Sequence, residues 1–145
     1  MGFHFPLDSV LRFRESVEHQ EELQLRKVQL EVASVRRSIE QVTMEIAVAQ
    51  RARETALQQP LPAAHLQAML HAADGAVEKK KKLVAALQKL EEQSAACMQR
   101  YQLAHRKRQM LSDLETRQRE LWELQQVKTQ QKAVDDLFGA RHQRG

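Results

Sequence analysis

Glycine, proline and aromatic residues are scarce in this chain: four Gly, three Pro and 4% aromatics in 145 residues. So few turn-formers exclude a loop-rich fold, and so few aromatics leave a thick globular core without its bulky filler. One cysteine, Cys97, excludes an internal disulfide and suits a reducing cytoplasm. No apolar run approaches the roughly 18 residues of a membrane span. The stretch from Met1 to Leu11 lacks the basic-then-apolar layout of a secretion signal. A soluble, cytoplasmic protein is therefore expected.

What remains is a chain with 29% charged residues, rich in Ala, Leu, Gln, Glu, Lys and Arg. With the right periodicity, that composition signals long helix or coiled coil. Such a chain buries a narrow seam and has little room for an enclosed pocket. The net charge of +4 comes from 23 basic and 19 acidic residues, interleaved. The excess suits an acidic protein partner and does not require nucleic acid.

Pro6 suits a first helical turn, where its missing N–H is not needed, and Asp8 places a negative charge near the positive helix end. No Gly or Pro follows until Pro60. Leu25, Val28, Val32, Val35, Ile39, Val42, Ile46 and Ala49 alternate three- and four-residue spacings, the heptad signature. Leu7, Val10, Leu11, Phe13 and Val17 form a related, shifted stripe. The first helix is expected at about 7–58. Pro60 and Pro62 push their preceding residues out of helical geometry, so the turn is placed at 59–62. A second seam runs Leu83, Leu87, Leu90, Ser94, Cys97, Tyr101, Ala104 and Leu111. After it the phase slips to Leu114, Leu121 and Leu124. Asp74 and Gly75 suggest a second interruption, with Asp74 as helix N-cap. A short helix at about 63–73 and a long one at about 75–138 are expected, with Gly139 as C-cap glycine and a basic tail at 139–145.

The expected fold class is all-α: a long antiparallel two-helix coiled-coil hairpin with a short helical segment near the turn. Residues 7–58 span about 78 Å at 1.5 Å per residue. The second half is longer, so part of its C-terminal end should overhang, with Leu121 and Leu124 partly uncovered.

Chemistry is absent from the pattern. No two of the six histidines share the i, i+4 spacing of a helical metal site, and none has a cysteine nearby. Cys97 lies on the apolar seam, where it packs as a small hydrophobe. No phosphate-cradling glycine loop occurs. The chain is expected not to be an enzyme and to carry no cofactor. Lys79 to Lys82 cover a full helical turn, so one must approach the seam. They read either as a solvated surface or as a dock for an acidic partner. No interleaved aromatics accompany them for base stacking. Phe3, Phe5, Phe13, Trp122 and Phe138 are five of the six aromatics. All lie near the termini, either packed between the helices or exposed as a binding surface. Leu61, Leu66, Met69 and Leu70 either close the turn or form a contact patch.

The opening stretch from Phe3 to Glu15, FHFPLDSVLRFRE, resembles the start of the flagellar FliJ family. The C-terminal stretch is similar to the other end of that family: Arg119 and Glu120, then Lys128, Gln131 and Lys132, then Asp135, Asp136 and Leu137, then a short basic tail. Length, central breaker and two-helix layout match as well. The resemblance implies a coiled coil like the central stalk of rotary ATP synthases. It also implies a role in flagellar type III export at the cytoplasmic face of the inner membrane. There the end carrying both termini inserts into the hexameric ring of the export ATPase FliI and promotes its activity. The rod contacts the export gate FlhA, and family members handle export chaperones. Carried over by matching position, Leu11, Arg14, Glu120, Lys128, Gln131, Lys132, Asp135 and Asp136 are the candidate ATPase-contact residues; Met69 and Leu70, just past the turn, are the candidates for the gate contact. The rival readings are a structural coiled-coil adaptor or prefoldin-like chaperone and, further off, a nucleic-acid-binding helical protein.

Overall fold

The three-four spacing of apolar residues leaves each helix with one stripe to bury, and a proline pair lets the chain fold that stripe onto itself. A computed structural model describes residues 2–144. It contains two helices packed on each other, α1 (Asp8–Ala56, 49 residues) and α2 (Ala63–Arg144, 82 residues). No strand occurs among the described residues. The fold is the expected all-α helical hairpin.

At the start of α1, the Asp8 amide donates to the Phe5 carbonyl (3.1 Å) and the Leu11 amide to that of Leu7 (2.9 Å). Asp8 also pairs with Arg12 one turn on (3.1 Å). At the other end, the Gln58 and Gln59 amides reach the carbonyls of Thr55 and Ala56, both at 3.3 Å. These three-residue steps tighten the last turn, satisfying carbonyls that a helix end leaves open. The Pro62 carbonyl accepts from the His65 and Leu66 amides (3.1 and 3.2 Å) and so opens α2.

The chain divides into two compact units, each an antiparallel pairing. In the first, Glu21–Arg100, the α1 seam buries Leu25, Val28, Val32 and Val42, with Val35, Ile39, Ile46 and Ala49 half-buried. Val42 is only 2% exposed. Facing them are half-buried Leu83, Leu87, Leu90 and Ser94, and buried Cys97. Two ion pairs tie the helices here: Arg36 to Glu91 (3.0 Å) and Arg100 to Glu21 (3.5 Å).

The expected break at Asp74–Gly75 does not occur, so no separate short helix precedes α2. A single glycine costs a helix only about 1 kcal/mol relative to alanine, and Ala72, Ala73 and Ala76 flank it. The protected positions Leu66, Met69, Ala73, Ala76, Lys80 and Leu83 keep their three-four spacing straight through. That packing holds the helix together. Asp74 is exposed inside the helix and caps nothing.

The second unit pairs Met1–Gln20 with Tyr101–Gly145. Phe5, Leu11 and Ala104 are its buried residues. Of the expected N-terminal stripe, Leu11 is buried and Val17 half-buried, whereas Leu7, Val10 and Phe13 are exposed. The α2 seam does not slip after Leu111. Arg108, Leu111, Glu115, Gln118 and Trp122 stay half-buried at three-four spacing. Leu114 lies on the flank, and Leu121 and Leu124 are turned outward at 60% and 56% exposure. The backbone twist fixes the facing side, so the apolar stripe drifts off it while polar residues take its place. Nor does α2 end at Phe138. It runs through Gly139, which has no positive φ and caps nothing, and includes most of the expected basic tail. Ala140, Arg141 and Gln143 are all good helix formers. Gly145 lies outside the described residues.

Candidate functional site

The unit holding both terminal stretches is built around a half-buried ionic cluster. Glu18 of α1 and Arg108 of α2 are only 17% and 22% exposed at their side chains. The Arg108 guanidinium grips the carboxylate in a fork: Nε donates to Oε2 (2.5 Å) and Nη2 to Oε1 (3.4 Å). His105 Nδ1 lies 3.6 Å from the same Oε1, and Arg108 Nη1 donates to Ser112 Oγ at 3.4 Å. The hydrogen bond from Arg108 holds the Glu18 carboxyl below its ordinary value, against partial burial that pushes it up. The reciprocal bond raises Arg108. Tyr101 stacks at a tilt beside His105, with ring centroids 6.0 Å apart. The cluster is a structural clamp, since every charged group in it already has a partner.

Further along, the segment before α1 lies against α2. The Phe3 ring centroid sits 6.1 Å from that of Trp122, and the Arg119 guanidinium lies 5.3 Å from the Phe3 centroid as a cation on an aromatic face. Phe3, Phe5 and Trp122 are therefore packed, whereas Phe13 and Phe138 are exposed. The terminal aromatics thus divide into packed and exposed rings. Beyond Trp122 the character changes abruptly: every residue from Glu123 to Gln143 is exposed. This end of α2 carries Leu124, Val127, Val134, Leu137 and Phe138 in the open, interleaved with charges.

Of the residues matched to an ATPase contact, Lys128, Gln131, Lys132, Asp135 and Asp136 lie on this exposed part of α2, and Glu120 is exposed just before it. Gln131 Nε2 donates to Asp135 Oδ1 at 3.4 Å. Arg14 is half-buried, its guanidinium 5.7 Å from the ring of exposed Phe13. Leu11 points the other way and is buried in the pairing with α2. In the other unit, Met69 is half-buried and Leu70 exposed. Lys80 is the member of the lysine run that approaches the seam, while Lys79, Lys81 and Lys82 are exposed. Lys81 pairs with Glu78 at 3.5 Å.

Sequence reasoning missed the Glu18–Arg108 clamp and left the burial of Phe5 open between two readings. A usable signal existed. Folding the chain at the two prolines sets residue numbers that add to about 125 side by side, which makes Glu18 and Arg108 opposite charges on facing positions.

Among the described residues no group of three or more His, Cys, Asp or Glu side chains could hold a metal ion, and no helix is long and apolar enough to cross a membrane. No curated protein and no solved structure matches the chain. A family model described as "Flagellar FliJ protein" matches residues 3–145, nearly its whole length. The chain belongs to the flagellar FliJ family and is a component of flagellar protein export.

Proposed function

We propose that this protein is a stalk-like activator of the flagellar export ATPase and links the ATPase ring to the export gate at the cytoplasmic face of the inner membrane. The observation that carries the reading is the uncovered end of α2. Some twenty consecutive exposed residues, on the unit that also holds the N-terminal stretch, present apolar and charged side chains to a partner. A helix of 82 residues has a length of about 120 Å, against about 74 Å for one of 49. The surplus is what a socket would receive. Glu120, Lys128, Gln131, Lys132, Asp135 and Asp136 would meet the ring of FliI. Arg14 would meet it from α1, and Leu11 would hold that part of α1 in place. Charges of both signs suit contacts that re-form as a part turns in its seat. Leu70, with Met69 beneath it, is the proposed contact for FlhA, and export chaperones are a further class of partner.

The test is ATP hydrolysis by the purified export ATPase at low micromolar concentration, with and without the full chain. A rise in rate that the Asp135→Lys/Asp136→Lys variant fails to produce, at unchanged helicity, supports the reading. No rise with the unsubstituted chain refutes it.

A further inference from the structure

The open stripe on α2 has a periodicity of its own. Leu124, Val127, Gln131, Val134 and Phe138 recur at three-four spacing, the pattern of a coiled-coil seam, and all five are exposed. None of the described residues covers them. The charges beside the stripe are ordered. On one flank lie Lys128 and Asp135, one heptad apart. Glu123 lies on the other flank, and Arg141, three residues past Phe138, continues the stripe itself. Residues 123–143 hold three basic residues (Lys128, Lys132, Arg141) and three acidic ones (Glu123, Asp135, Asp136), so the segment is neutral although the chain carries +4.

We propose that this segment pairs with the same segment of a second copy of the chain, as an antiparallel two-stranded coiled coil with its two-fold axis near Lys132. Packing in that register seats Val127 against Phe138 of the second copy, and Gln131 against Val134. Lys128 then faces Asp135 of the second copy, and Arg141 enters the end of the seam opposite Leu124, with Glu123 of that copy beside it. The two-fold axis doubles each pair, giving four attractive contacts and no like-charged one among these residues. Flanking charges of this kind set partner and orientation in coiled coils, and a polar residue such as Gln131 in the seam fixes register. A parallel arrangement gains only the two Glu123–Lys128 contacts and sets Arg141 against its own copy, so the charges select the antiparallel one. The seam is five positions long, short of a standard interface, so the pairing is weak and reversible. The proposal is independent of the ATPase reading. Where both hold, self-pairing and ring binding compete for one stripe.

Two experiments on the full chain test it. Sedimentation equilibrium from about ten to several hundred micromolar should show a monomer–dimer equilibrium. Asp135→Lys sets Lys128 against a new positive charge twice, and should weaken the dimer roughly tenfold or more. Adding Lys128→Asp to it should restore the dimer. A native chain that stays monomeric, or a dimer indifferent to Asp135→Lys, overturns the proposal. For orientation, Val127→Cys and Phe138→Cys are combined in one chain under mild oxidation. The double variant should form a disulfide dimer that neither single variant forms, because only the antiparallel register brings 127 to 138. Cross-linking of the single variants to the same extent, as a parallel pair requires, overturns it, as does a double variant that does not cross-link at all. Both readouts use the chain alone, so loss of ATPase stimulation leaves them unaffected.

Discussion

Replacing Val42 by alanine isolates what the seam contributes. Val42 is the most deeply buried large side chain of α1, at 2% exposure. The change removes the equivalent of two methylene groups, about 1.6 kcal/mol at 0.8 kcal/mol each. A cavity that the neighbouring helix only partly fills adds up to about 1 kcal/mol. Alanine's better helix propensity returns roughly 0.5 kcal/mol. The net expectation is a loss of about 2 kcal/mol, or roughly 4–8 °C in Tm for a chain of this size. Val48 supplies the control: same helix, same chemical change, but 65% exposed. There the burial term is small, and Val48→Ala should be neutral or stabilising by a few tenths of a kcal/mol, roughly its propensity gain. Urea unfolding followed by circular dichroism at 222 nm gives both values. Equal effects at the two positions would show that Val42 does not face α2, and the seam assignment would fall with it.

Gly75→Ala tests the continuity of α2. No atom lies within 4 Å of where the new methyl would sit and the backbone is helical there, so stability should rise by about 1 kcal/mol in the same assay. A fall would mean that the chain turns at this point. The Glu18–Arg108 clamp predicts a pH dependence. Because the Glu18 carboxyl titrates below its ordinary 4.5 in the folded chain, its contribution is fully present above pH 4.5 and lost as pH falls through the depressed value. Acid unfolding of Glu18→Gln, monitored by tryptophan fluorescence from Trp122, should therefore lose part of its steepness below pH 4.5; an unchanged profile would show the pair to be uncoupled from folding. Arg36 and Glu91 form an exposed pair, so a double-mutant cycle to alanine should give a coupling of no more than about 0.5 kcal/mol, screened away by 1 M salt.

Legibility varied along the chain for identifiable reasons. In α1 the seam from Leu25 to Ala49 could be read directly, because β-branched and leucine side chains occupy nearly every facing position and polar ones nearly every other. In α2 the facing positions near the turn hold Ala73, Ala76 and Lys80. Small residues and a lysine stem carry little hydrophobic signal, so Asp74 and Gly75 looked like an interruption. Past Leu111 the pattern misled in the opposite sense. Facing positions there hold Glu115 and Gln118, while leucines stand at 121 and 124 on the outside. A one-dimensional pattern shows where apolar residues lie, and not whether anything is there to cover them. The candidate contact residues came from resemblance at the termini. The structure adds that most of them share one exposed stretch of helix, with buried Leu11 apart from them.

That exposed stretch is the point where fold and function meet. An uncovered apolar stripe carries a hazard of indiscriminate association, and the residues between its apolar positions limit it. Two basic residues, Lys128 and Lys132, are followed by two acidic ones, Asp135 and Asp136, within two and a half turns, so any partner must match charge as well as present an apolar face. The hairpin supplies the rest. The Glu18–Arg108 fork and the packing of Phe3 on Trp122 fasten the base of the free segment, so it leaves the paired region as continuous helix rather than as a flexible tail. A partner that binds a helix already formed has no ordering cost to overcome. Stability thus resides in the seam up to Trp122, and the segment beyond it is left free for recognition. Substitutions on the two sides of that boundary should accordingly separate, with unfolding free energy changed by those before it and association by those after it.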